Sequence, residues 1–254
     1  MTDEELISLN EFGFIPGPGE LESDFISRVS KTKASMEKLN TLPRSQWVWA
    51  KERVSHLFDF DPQCLPVFYS NKNLSVWQGA ACWIDEGNIP LLQLRNGFKK
   101  GNYLRLYSRE EVLAHEAIHA ARAAFNEEES EEFFAYGSSS VKWRSVLGPI
   151  LKKPYEAWIL MALLTIGVFS PWGILAATLW IGLGFFRLGR QHLRLARASN
   201  FLMGKVKEPQ TARAVLFRLT DLEIRDLSRG IWLLGDESLR WRLLKARYLS
   251  EAIR

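Results

Sequence analysis

The chain has 254 residues, 33 basic and 29 acidic, for a formal net charge of +4. Residues 1–156 carry 18 basic and 22 acidic side chains and residues 187–254 carry 15 and 7, so the positive excess belongs to the C-terminal part. No nucleic-acid-binding motif accompanies that excess, no repeat or low-complexity tract is present, and Cys64 and Cys82 lack metal-ligand spacing.

The N-terminus, Met1-Thr2-Asp3-Glu4-Glu5-Leu6, is acidic and without a signal-peptide pattern, so residues 1–156 are expected in the cytoplasm. That setting argues against a disulfide between the two cysteines. Residues 14–19 read as a turn, and Leu21–Leu39 and Gln46–Phe58 as partly amphipathic helices. His56, on the second of these, fits a packing or surface residue.

Strands are predicted next. Leu65–Tyr69 is one, and Gly79–Ile84 and Ile89–Leu94 form a hairpin across Asp85-Glu86-Gly87-Asn88. Tyr103–Tyr107 alternates as one more strand. The pattern predicts a small, mainly antiparallel sheet with Ile89–Leu94 as its candidate edge, an ordinary core strand being the alternative.

A helix over 109–124 follows. Ser108-Arg109-Glu110-Glu111 reads as a capping box with Ser108 as N-cap. Inside this helix stands His115-Glu116-Ala117-Ile118-His119, an HExxH pattern that uses two of the four histidines. Histidines four apart lie about 6 Å apart along one helix face, so both imidazoles can grip one ion. Glu116 projects beside them, where it can act as a base. This is the arrangement zinc hydrolases use.

A catalytic zinc normally takes three protein ligands. Asn126 reads as a helix break and a new N-cap, followed by an acidic run and an apolar side at Phe133 and Phe134. In a tight helix hairpin turning at Asn126, His119 and Glu132 fall at the same height. Glu132 is therefore the expected third ligand and Glu131 the alternative, with Glu127, Glu128 and Glu129 on a solvated face. His192 fits an interfacial residue.

His115-Glu116-x-x-His119 followed by Glu132-x-x-Ala135 resembles the gluzincin branch of the zincin metallopeptidases, over the stretch from Ser108 to Tyr136. The chain departs from that branch in having Tyr136 where an Asp often stands and in a short link between the helices. The resemblance implies Zn2+ as cofactor and a peptide or protein substrate, held by strand addition to an edge strand beside the site helix. Tyr136 is a candidate oxyanion donor, with simple packing as its alternative role.

Residues 157–186 contain no charge. The middle, Phe169-Ser170-Pro171-Trp172-Gly173, is a turn sequence, and basic residues flank both ends: Lys142, Arg144, Lys152 and Lys153 before, Arg187, Arg190, Arg194 and Arg197 after. Positive flanks favour the cytoplasmic side, so a hairpin with both ends there is expected; a single kinked span is the alternative. The basic tail, with helices over 211–226 and 237–252, suits anionic head groups.

The sequence thus predicts a chain that is mostly α overall, with an α+β, zincin-like catalytic part at 1–154. A transmembrane hairpin at 155–187 and a basic helical region at 188–254 complete it. The expected function is a zinc-dependent metallopeptidase in a membrane, a bacterial inner one, with catalytic part and tail cytoplasmic. His115, His119 and Glu132 would hold zinc and Glu116 would be the base. The alternative is a non-catalytic membrane scaffold or chaperone-like protein with a structural or degenerate metal site. A nucleic-acid partner is not expected.

Overall fold

The computed structural model describes residues 1–38, 42–62, 65–74, 78–85, 89–103, 107–127, 129–151, 154–232 and 235–250. The chain is mostly helical with a small sheet, as its sequence predicts. Three N-terminal helices open it: α1 (Asp3–Glu11), α2 (Glu22–Lys38) and α3 (Val48–Phe58). A Thr2–Glu5 capping box starts α1. Leu39 of the expected second helix lies outside the described residues.

The strands are β1 (Val67–Tyr69), β2 (Ala80–Asp85) and β3 (Ile89–Leu94), in the order β1-β3-β2. The sheet is mainly antiparallel, as expected, with β2 antiparallel to β3 and the shorter β1 parallel to it. The candidate edge is corrected: Ile89–Leu94 is the central strand, and β1 and β2 are the edges. The reason is visible in the side chains: β3 (IPLLQL) is buried on both faces, as a strand flanked by two others must be, whereas the outer half of β2 is exposed. Asp85 pairs with Ile89 as expected, and Glu86–Asn88 lie outside the described residues. Tyr103–Tyr107 is not one strand either. Two short strands, β4 (Asn102–Tyr103) and β5 (Tyr107–Ser108), pair antiparallel, with 104–106 outside the described residues.

Helix α4 (Arg109–Ala121) starts at Ser108, whose Oγ accepts the Glu111 N–H at 3.1 Å. Only this half of the predicted capping box forms. The Glu111 carboxylate instead accepts from Ser139 Oγ at 2.6 Å and Ser140 N at 2.9 Å, and pairs with Arg144 at 3.2 Å. Glu110 caps a different helix, accepting the N–H groups of Trp49 and Ala50 at the start of α3. Asn126 does break the chain, with φ +52°, but it is not the next N-cap. That position is Ser130, and α5 spans Glu131–Gly137. Residues 126–130 form a link between the helices, of which Glu128 lies outside the described residues.

After α6 (Lys142–Leu147) come α7 (Pro154–Phe169) and α8 (Pro171–Val206), which break at Ser170, where φ −151° and ψ 130° are extended. They pack against each other along the apolar run. Close approach near the turn requires glycine: a Cβ on Gly173 would collide with the Gly167 backbone. At the other end Glu156 binds Arg187 through two bonds of 2.8 and 2.9 Å. Lys152 and Lys153 lie outside the described residues. By length and composition α8 could cross a membrane, and α7 is a shorter apolar helix.

The tail folds as α9 (Pro209–Phe217), α10 (Asp221–Leu227) and α11 (Leu239–Arg247). The single helix expected over 211–226 is interrupted at Thr220, which with Glu223 makes a second capping box. One buried core runs from Ile15 to Leu249 and takes in α3, α4, β1, β3, α9, α10, α11 and Ala198 and Leu202 of α8. The tail therefore shares its core with the first half of the chain.

Candidate metal centre

Helix α4 packs against α3, α5, β2 and β3, with Leu113, Ala114, Ala117, Ile118 and Ala121 almost fully buried. That apolar stripe fixes its rotation. The positions between, His115, Glu116 and His119, then point into the space shared by β2 and α5. The Nε2 atoms of His115 and His119 are 3.3 Å apart. Glu132, on α5, places Oε2 at 3.9 Å from His115 Nε2 and Oε1 at 3.8 Å from His119 Nε2. The three residues form a group able to hold a metal ion.

A tetrahedral ion with bonds of about 2.0–2.1 Å sets its donors roughly 3.3 Å apart. The histidine pair matches that spacing, while Glu132 offers a different oxygen to each ring at 3.8 and 3.9 Å, so its carboxylate would have to move closer to share one ion with both. The outer sides of both rings are held as well. His119 Nδ1 lies 2.5 Å from Glu131 Oε1, and the His115 ring bonds the backbone of Ala135. Such partners fix which ring nitrogen faces an ion. Glu131 and Glu132 thus face opposite sides of His119, one behind its ring and one in the donor cluster.

Electrostatics follow from this crowding. Burial, with the charge of His119, pushes His115 down to about 3. Burial also works against a proton on His119, but the Glu131 bond and the charges of Glu116 and Glu132 outweigh it and lift the ring to about 9. Glu116 is pushed up to about 7, chiefly by burial, with His119 and the Cys82 backbone N–H pulling back. Cys82 is a free thiol pushed well up by burial and by Glu116.

Two hollows flank the cluster. One, of about 220 Å³, is lined by His115, Glu116, Tyr107, Tyr136 and Phe98. The other, of about 360 Å³, runs from Ala81 and Ile84 past Glu116 to Asn126. Strand β2 borders both. Tyr136 stacks edge-on to the His115 ring at 4.8 Å, and burial pushes its hydroxyl up to about 12. Gly148 lies so close to the Tyr136 ring that a Cβ there would overlap it. His56 is exposed on α3. His192 is outside the cluster, with Nε2 2.9 Å from the Val146 carbonyl and its ring against Phe133.

Sequence reasoning missed the residues that hold the 126–130 link in place. Asp221, at the start of α10, accepts the N–H groups of Glu129 and Ser130, both at 3.0 Å. Gln191 of α8 donates to Ser130 Oγ at 3.1 Å, and Arg194 pairs with Glu129 at 2.6 Å. The fully buried Arg122, which ends α4, donates to the carbonyls of Phe217 and Leu219 and pairs with Glu127. Apart from Arg122–Glu127, these partners lie 61 to 97 residues apart in the chain, so no local pattern announces them. No family model, no curated protein and no solved structure matches this chain.

Proposed function

We propose that this chain is a membrane-anchored zinc metallopeptidase in which His115, His119 and Glu132 hold the ion and Glu116 is the general base. The observation that carries the reading is the convergence of three donors within 4.8 Å of one another, two of them histidines 3.3 Å apart, with Glu116 beside them and not among them. When bound, zinc polarises a carbonyl and brings the pKa of its water toward neutrality.

Glu116, pushed up to about 7, suits a base that works near neutral pH. It takes a proton from water as the oxygen bonds to the carbonyl carbon, then hands it to the leaving nitrogen as the C–N bond breaks. Strand β2 has no second strand on its outer side among the described residues, which supports an extended substrate laid along it. Tyr136 keeps its proton, so it can donate a hydrogen bond to the developing oxyanion. The exposed apolar surface of α7 and α8 supports a bilayer as partner, with body and tail on the cytoplasmic side.

Zinc content and peptide hydrolysis of the purified protein, measured beside His115→Ala, test the reading. About one zinc per chain and hydrolysis are expected for the parent, and neither for the variant. Metal retained by a His115→Ala/His119→Ala variant overturns the assignment.

A further inference from the structure

We infer that the α7–α8 hairpin is a monotopic anchor: it enters a bilayer rich in anionic lipid from one face and ends within the hydrocarbon. This rests on the membrane reading above and says how the membrane is engaged. Length is the first argument. The uncharged parts of the two arms, residues 157–169 of α7 and 171–186 of α8, rise about 20 and 24 Å against a hydrocarbon core of about 30 Å, although the whole of α8 is long enough to cross.

The tip is the second. Val168, Phe169 and Trp172 are 78%, 86% and 76% exposed, and no charged residue stands between Glu156 and Arg187. A tip emerging on the far side would put these three side chains into water. Within hydrocarbon they are in a matching solvent, and several of the polar groups beside them are satisfied internally, although the Ser170 side chain makes no cap bond and the Trp180 indole N–H has no partner. The Ser170 N–H bonds the Ile166 carbonyl at 2.9 Å, and the Gly173 N–H bonds the Ser170 carbonyl at 3.0 Å. The arm hydroxyls of Thr165 and Thr178 donate to Met161 and Ile174, each at 2.9 Å.

The base differs in chemistry from the tip. Lys142, Arg190 and Arg197 are exposed there. Beside them stand exposed aromatic side chains, Trp143 at 62%, Tyr155 at 54% and Trp158 at 58%. The Val146–His192 bond keeps α6, which carries Trp143, against α8 at this level. A belt of cations and aromatics on one side only complements one anionic headgroup layer.

The test uses the full chain with Cys64→Ala and Cys82→Ala, to which Phe169→Cys or, as a control in α2, Ala34→Cys is added. Each protein is reconstituted into phosphatidylcholine–phosphatidylglycerol vesicles and treated with a membrane-impermeant maleimide, outside or trapped inside. Ala34→Cys should be labelled from the side that the body faces. Phe169→Cys should resist both reagents and react once detergent dissolves the bilayer. Labelling of Phe169→Cys from the side opposite the body means two full crossings, and labelling from the body's side means a tip in water; either overturns the inference. Protein that does not sediment with vesicles rejects the membrane reading itself and the anchor with it, and protection of Phe169→Cys there identifies a second copy as the cover. Omitting phosphatidylglycerol should weaken sedimentation about fivefold for each arginine engaged. Arg190→Gln/Arg197→Gln should remove that lipid dependence, and equal sedimentation with both lipid mixtures overturns the headgroup contact.

Discussion

Glu131 Oε1 lies 2.5 Å from His119 Nδ1, on the side of the ring opposite the Nε2 that faces His115. The two neighbouring glutamates therefore have different work. Glu131→Gln should keep the donor cluster and weaken zinc binding about 10- to 100-fold, the usual effect of removing a partner behind a ligating histidine. Glu132→Ala should lose the ion outright. Competition with a chelator measures both, and a larger loss for Glu131→Gln than for Glu132→Ala reverses their roles.

Glu116→Gln should bind zinc as the parent does, because Glu116 is not among the three donors. Without the base, peptide hydrolysis should fall by roughly 10² to 10⁴. Parental turnover in this variant excludes Glu116 as base.

Zinc loading should depend on pH in a stated direction. His119, lifted to about 9 against an ordinary 6.5, holds a proton at neutral pH that an incoming ion must displace. His115, pushed down to about 3, has none to give. Affinity should therefore climb as pH rises toward about 9, with close to one proton released per ion at neutral pH. Calorimetric titration in two buffers of different ionisation enthalpy reads that release. Glu131→Gln removes the largest influence raising His119 and should shrink the release; an unchanged release contradicts this assignment.

Asp221→Ala should weaken zinc binding without touching a donor. Asp221 holds the Glu129 and Ser130 N–H groups just ahead of Glu131 and Glu132, and charged hydrogen bonds of this kind are worth about 1.5–3 kcal/mol each. Circular dichroism should report a folded protein with lowered affinity, and Asp221→Asn, which keeps one acceptor, should recover part of it. Affinity equal to the parent's in Asp221→Ala shows that the link needs no clamp.

Gly148→Ala should destabilise by about 1–3 kcal/mol, since the new methyl meets the Tyr136 ring in a packed site. Thermal melts of Gly148→Ala and of Gly148→Ala/Tyr136→Ala test this, with the second change expected to relieve the first.

Much of the site is local and was readable. The four-residue spacing of His115 and His119 and the Ser108 cap need only one helix. Glu132 needed one turn of chain more, and the count from His119 to Asn126 and back reached it even though the helix begins at Ser130 and not at Asn126. The sheet was less legible. Ile89–Leu94 and Gly79–Ile84 are both apolar runs, and which of them lies at the edge depends on β1 pairing across some 25 residues. The roles of Asp221, Gln191 and Arg122 depend on the tail folding back onto the first half of the chain, a contact with no periodicity to read.

Helix α8 runs without a break from the apolar turn at Pro171 to Val206, about 54 Å. Its middle holds Ser130 and Glu129, immediately ahead of the helix that bears Glu132. The apolar hairpin and the donor cluster are thus joined through one continuous helix, so on the reading proposed above the tilt of the hairpin in a bilayer would set the direction in which the β2 cleft faces.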